Sequence, residues 1–277
     1  MKVKKFAALL LAIVLVFTLA ACAKKADAEV PETPETPVAE DDLSYVTANG
    51  KLLIGYTVYE PMNYTDAAGN FTGFDTEFAN AVCGKLGVTP EFVEINWDTK
   101  VIELDAKSID CIWNGMTITE ELKANIAVSE PYVKNMQVVV IRSADATKYT
   151  DTASLAGANL VAEAGSAGES VIAGDADLAK ATYVAVSKQT DALMEVKAGT
   201  SDAAVLDWTL AKSMVGEGTD YAELQMVDGL ELSVEEYGIG FRKDSTLCTK
   251  VNEIMAELIA DGTLPALAEK YGLSLAE

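Results

Sequence analysis

Histidine is missing from this 277-residue chain, and arginine occurs only at Arg142 and Arg242. Without histidine, Ser-His and Cys-His nucleophiles and most zinc sites are excluded. Two arginines leave few bidentate anchors for carboxylate or phosphate. Basic residues are scarce overall, and the formal net charge is −22. Nucleic acid is therefore excluded as a partner, because phosphate binding needs clustered Lys and Arg. No Walker loop is present, so the chain hydrolyses no nucleotide, and no residue set calls for a cofactor or metal. Apolar runs long enough to span a bilayer are also absent: the longest, Phe6–Ala21, has 16 residues.

That run follows the basic start MKVKK and ends in Leu19-Ala20-Ala21-Cys22. It reads as a targeting segment, residues 1–21. The tetrapeptide resembles the lipobox of bacterial lipoproteins, which implies cleavage before Cys22 and a lipid on its thiol; a plain secretory signal with an incidental cysteine is the alternative. Residues 22–42 are rich in Pro, Glu and Ala and cannot bury a core, so they read as a disordered tether. Twenty such residues reach on the order of 25 Å. The expected location is extracytoplasmic, on the cell membrane.

Three cysteines remain. Cys83 falls on a helix whose apolar positions Phe74, Phe78, Val82 and Leu86 repeat every four residues, and Cys111 sits in the strand-like SIDCIW. Both read as small buried side chains, with a Cys83–Cys111 disulfide as the alternative that spacing alone leaves open. Cys248 lies on the last long helix as a free thiol.

From residue 43 onward strand and helix signals alternate. KLLIGYT, TPEFVEINW, SIDCIW, MQVVVIR, NLVAEAG, TYVAV and DAAVLD read as strands, with helices between them and two more at 245–261 and 264–271. This alternation predicts an α/β fold of parallel sheets covered by helices. Ligands in such folds sit at the carboxyl ends of strands, which selects three turns: GYTVYEPMNY after the first strand, WNGMTITEELK (113–123) and EAGSAGES (163–170). In the second turn, Thr117 followed by Glu120 fits a capping box, with Thr119 as the other candidate cap. Gly115 permits close backbone approach, Asn114 precedes it, and Trp113 offers a flat apolar wall.

The segments 59–82, 108–135, 198–211 and 237–245 together resemble the family 3 solute-binding proteins, receptors of polar amino-acid ABC transporters. The resemblance covers essentially all of 43–277. It implies a two-lobed periplasmic-binding-protein-like fold with two crossover strands and the ligand in the interlobe cleft. Lobe 1 would comprise 43–134 and 240–277, and lobe 2 residues 135–239. It also implies a small-molecule ligand, permease subunits as partners, a monomer and no enzymatic activity. A sensory subunit is the alternative, and a dehydratase acting on prephenate or arogenate a more distant one.

Carried over by position, Tyr59 is the stacking aromatic, with Trp113 opposite. Gly115 and Thr117 meet the ligand's amino and carboxylate ends. Asp207 accepts the α-ammonium, and Glu163, Gly165, Ser166 and Ala167 form the facing loop. One position departs: the family's carboxylate-binding arginine is Leu122 here. Either helix amides, Thr117 and Lys123 hold an amino acid's carboxylate, or the ligand is an amine or other cation without one.

Overall fold

The structure, a computed structural model, describes residues 41–277. The expected signal segment, Cys22 and the tether up to residue 40 lie outside the described residues. The tether's last residue is helical: Asp42 opens the first helix, and the Asp41 carboxylate caps it by accepting from the Leu43 and Ser44 amides. A side-chain cap overrides the composition there.

Elements alternate along the chain. Helix α1 (Asp42–Asn49) leads into β1 (Lys51–Tyr56), the short pair β2 (Tyr64–Thr65) and β3 (Phe71–Thr72), α2 (Phe74–Leu86) and β4 (Thr89–Glu94). After a 3-10 turn at Trp97–Thr99 come α3 (Lys100–Asp105), β5 (Cys111–Thr117), α4 (Glu120–Asn125) and β6 (Ala127–Val128). Strand β7 (Val133–Arg142) precedes α5 (Thr152–Leu155), β8 (Asn159–Glu163), α6 (Ala167–Gly174), β9 (Thr182–Val186) and α7 (Gln189–Ala198). Strand β10 (Ala203–Asp207), α8 (Trp208–Met214), the long β11 (Leu224–Phe241), α9 (Thr246–Ala260) and α10 (Thr263–Tyr271) complete the order.

The strands form one path, β4-β1-β5-β11-β7-β10-β8-β9. Pairs on the outer parts are parallel, as expected: β1 with β4 and β5, and β8 with β9 and β10. The centre is antiparallel, which corrects the all-parallel expectation. Strand β11 pairs with β5 through Tyr237–Phe241 and with β7 through Leu224–Tyr237, while β7 also pairs with β10. The chain leaves one lobe on β7 and returns on β11, so the two run in opposite directions. The expected lobe limits, 134/135 and 239/240, fall inside these two strands.

A continuous apolar cluster runs from the first lobe through the central strands into the second, where it takes in Val140, Leu193 and Leu206. In the first, Phe74, Phe78, Trp113, Tyr132 and Tyr237 are buried around α2 and β5, with Phe78 edge-on to Trp113 at a centroid distance of 4.9 Å. In the second, Val139, Ile141, Leu155, Leu160, Ile172 and Val205 cover one sheet face. Cys83, Cys111 and Cys248 are buried free thiols. Burial pushes the Cys83 thiol up to about 12 and that of Cys248 to about 11.

Phe78→Ala should destabilise the protein by about 3–5 kcal/mol, since it leaves a cavity beneath the indole. Urea denaturation would show the lowered midpoint.

Candidate functional site

A cavity of about 660 Å³ lies between the lobes, at the carboxyl ends of β1, β4, β5, β8 and β10. That volume suits a small polar solute. The lobes also touch each other across it. Lys100 Nζ, on α3, donates to the Gly165 carbonyl at 2.8 Å, Ser213 donates to Glu60 at 2.9 Å, and Lys188 pairs with Glu94. Gly165 has φ +70°, and a Cβ there would lie 2.8 Å from the Asp98 Cα, so only glycine permits this approach of the lobes.

Of the expected site residues, Tyr59, Asn114, Gly115, Thr117, Glu163, Ser166, Ala167 and Asp207 all border the cavity. Trp113 does not. As a strand residue its side chain faces opposite to those of its neighbours Ile112 and Asn114, and it is fully buried against Phe78. The indole in the cleft is Trp97, in the turn after β4, with the Lys100 ammonium 4.9 Å from its ring centroid. Lys100, Trp97 and Gln189 were missed from sequence. The strand-end rule already pointed to Trp97, at the close of TPEFVEINW, although that turn was not among those selected.

Several side chains that border the cavity already have partners within the protein. Asn114 bridges β5 to the end of β1: its Oδ1 accepts from the Thr57 amide and hydroxyl, and its Nδ2 donates to Thr57 O and Asn63 Oδ1. The Gly115 amide donates to Asp75 at 2.7 Å, and the Thr117 hydroxyl donates to Glu235 at 2.9 Å. Gly115 holds φ +58°, where a Cβ would meet the Tyr59 ring at 2.8 Å. Thr119, not Thr117, caps α4, because its hydroxyl accepts the Leu122 amide at 3.1 Å. Ser166 caps α6, and Glu169 reaches back to the Gly165 amide at 2.6 Å. Lys123 pairs with Glu120 on the exposed side of α4 and does not line the cavity. Leu122 does line it.

Asp207 is the best-connected group. Its Oδ1 accepts from Asn135 Nδ2 at 2.6 Å, Gln137 Nε2 at 2.9 Å and the Tyr237 hydroxyl at 2.9 Å, and its Oδ2 accepts from Gln189 Nε2. Asn135 and Gln137 also donate to Glu235, at 2.7 and 2.8 Å. The Tyr237 hydroxyl lies 2.5 Å from that of Tyr59. Burial, followed by the charge of Glu235, pushes the Asp207 carboxyl up to about 8. Glu163 is 2% exposed, and its Oε1 has no hydrogen-bond partner among the described residues. Burial, then Asp207, raises its carboxyl to about 8. Burial lowers the Lys100 ammonium, and the charge of Glu163 opposes that shift. Behind the strand, burial raises Asp75 to about 7, against the hydrogen bonds from Gly115 and Tyr132.

Neither arginine reaches the cavity. Arg142 holds the Val196 and Ser201 carbonyls, and Arg242 binds Ile109 O and Asp110. Among the described residues lining the cleft, five carboxylates (Asp98, Glu121, Glu163, Glu169 and Asp207) face one ammonium, Lys100.

Two α/β lobes sharing a pair of crossing strands, with a polar cavity between them and strand ends pointing into it, define a solute-binding protein. The chain matches the bacterial extracellular solute-binding proteins, family 3, over residues 52–274, and it belongs to that family. It is 30% identical over 233 residues to the L-cystine-binding protein TcyJ of Escherichia coli, covering 83% of this chain and 85% of that one. It is 28% identical over 222 residues to the lysine/arginine/ornithine-binding periplasmic protein of the same organism, covering 78% and 84%. The structure resembles a mutant of the arginine-binding protein ArgBP from T. maritima, with a TM-score of 0.76 and 33% identity over 83% of this chain and 98% of that one.

The raised Glu163 carboxyl carries a pH signature. Its folded-state value lies above its ordinary one, so the folded protein retains a proton that the unfolded chain releases between about pH 4.5 and 8. Stability contributed by the neutral group is present below that window and is lost as pH rises through it. Glu163→Gln removes this part of the slope, worth up to about 5 kcal/mol at ~1.4 kcal/mol per pH unit. Thermal melts at pH 5 and pH 8.5 should show a smaller loss in Tm for the variant than for the wild type.

Proposed function

We propose that this protein is an extracytoplasmic receptor for a small organic cation, feeding an ABC importer from a lipid anchor on Cys22. The observation that carries the ligand class is the side-chain composition of the cleft: five carboxyl groups against one ammonium, the two buried ones, Glu163 and Asp207, holding protons that an arriving cation would displace. The donors that would otherwise grip an α-carboxylate support the same reading. Leu122 stands where the family resemblance implies arginine. The Gly115 amide serves Asp75, the Thr117 hydroxyl serves Glu235, the Gly165 amide serves Glu169, and Lys123 lies outside. A positive group enclosed beside Tyr59 and Trp97 gains about 2 kcal/mol from each ring face it covers. The lysine/arginine/ornithine-binding and arginine-binding relatives give cationic amino acids as the nearest chemistry, and here the decarboxylated amines suit the cleft at least as well.

Capture follows from geometry. A solute touching Tyr59 and Trp97 on one lobe and Glu163 and Asp207 on the other gains its full set of contacts only when the lobes meet, so it draws them together. Strands β7 and β11 are the joint, and the closed body is what the permease subunits receive. The carboxylate excess also disfavours a dehydratase role, because prephenate and arogenate carry the same sign of charge as the cleft.

Two matched pairs test the ligand class by calorimetry: L-arginine against agmatine, and L-lysine against cadaverine. Each pair differs by one α-carboxylate. The amine should bind at least as tightly as its amino acid; an amino acid binding a hundredfold tighter would overturn the reading. Leu122→Arg should shift preference toward the amino acid of each pair by tenfold or more, the effect of one or more charge-assisted hydrogen bonds. For the anchor, Cys22→Ser should move the protein from the membrane pellet to the soluble fraction.

A further inference from the structure

Lys100 opens α3 and supplies the one ammonium on the cleft wall among the described residues. Its placement is that of a bound cation. Nζ donates to the Trp97 carbonyl at 3.2 Å and to the Gly165 carbonyl at 2.8 Å, and it lies 4.9 Å from the centroid of the Trp97 ring. Two of its three N–H donors are therefore taken, and its charge lies over the negative face of an indole. The residue is buried, at 8% exposure. Burial lowers the ammonium, and the charges of Glu163, Asp98, Glu121 and Glu169 oppose that shift, so acids of both lobes surround it.

Carbonyl oxygens, an aromatic face and nearby carboxyl groups are also what an incoming ammonium or guanidinium would seek. Here the protein's own side chain holds them. Elsewhere on the wall the acids keep capacity: Asp207 Oδ2 accepts from Gln189 alone, and Glu163 Oε1 accepts from no described residue. The cleft can thus neutralise one positive group of a solute there. A second positive group would share the enclosed space with Lys100, and like charges repel strongly where water is excluded.

We propose that Lys100 is a specificity-determining residue that sets the charge of the ligand: its ammonium fills one cation position of the cleft, so the protein prefers a solute with a single positive group over one with two. The proposal rests on the cationic-solute reading and narrows it. Because Lys100 reaches from the first lobe to Gly165 of the second, that position is completed as the lobes meet. A solute with two positive groups must evict Lys100 and serve the Trp97 and Gly165 carbonyls with its own second charge.

Calorimetry with n-pentylamine and cadaverine, which share a carbon chain and differ by one ammonium, reads this preference on the purified protein at pH 7. The wild type should bind pentylamine at least tenfold more tightly than cadaverine. Lys100→Met, which keeps the length of the side chain and removes its charge, should raise cadaverine relative to pentylamine by tenfold or more. Lys100→Arg, which keeps the charge, should hold the wild-type preference. The proposal is overturned if the wild type prefers cadaverine, or if Lys100→Met changes both amines by the same factor, the result expected of a lobe contact alone. A wild type that binds agmatine or L-arginine but neither of these amines keeps the cationic reading and overturns this inference. A wild type that binds none of the four overturns both.

Discussion

A carboxylate can stay at the centre of a sheet only if protein donors surround it, and at the crossing of β7 and β11 two are served by the same amides. Asn135 and Gln137 project from β7 and divide their hydrogens between Asp207, at the end of β10, and Glu235, on β11. Tyr237 extends the arrangement to Tyr59 in the first lobe. Three strands and both lobes are thus tied through one polar cluster. Remove a donor, and a buried carboxyl oxygen is left short of a partner, at a cost of about 1–3 kcal/mol.

The cluster lies on the strands that must flex if the lobes are to part. Its bonds join β7, β10 and β11 side by side, so it resists shear between them. Other contacts link the lobes across the cavity: Lys100 with Gly165, Lys188 with Glu94, and Ser213 with Glu60. These are few, polar and mostly at the rim. Such contacts at an exposed rim are weak individually in water.

Much of the site could be read from residue types. Strand ends followed by glycine and hydroxyl residues pointed to Tyr59, Gly115, Glu163, Ser166 and Asp207, and all of them border the cavity. The misreadings have a common cause. Trp113 and Asn114 are adjacent on β5, and alternation sends one to the core and the other to the cleft; β5 buries apolar side chains on both faces, Cys111 and Trp113 on one and Ile112 and Met116 on the other, so hydrophobicity gives no phase by which to choose. Thr117 and Thr119 share a face for the same reason, and only the path of the backbone into α4 decides which hydroxyl caps it. Lys123 and Leu122 differ by about 100° around a helix, which puts one in solvent against Glu120 and the other in the cavity.

Composition and order of residues alone determined the charge of the protein, the absence of histidine chemistry, the alternation of strands and helices, and the loss of an arginine at Leu122. These are properties of side-chain identity and local spacing, and folding does not alter them. The tertiary structure decided which lone pairs remained free. Asp207 and Glu163 are equivalent as residue types at strand ends, yet one is enclosed by four donors from β7, α7 and β11 while the other keeps an unpartnered oxygen. Those donors lie between 18 and 72 residues from Asp207 in the chain, and hydrogen-bond capacity used across such separations leaves no mark on local sequence.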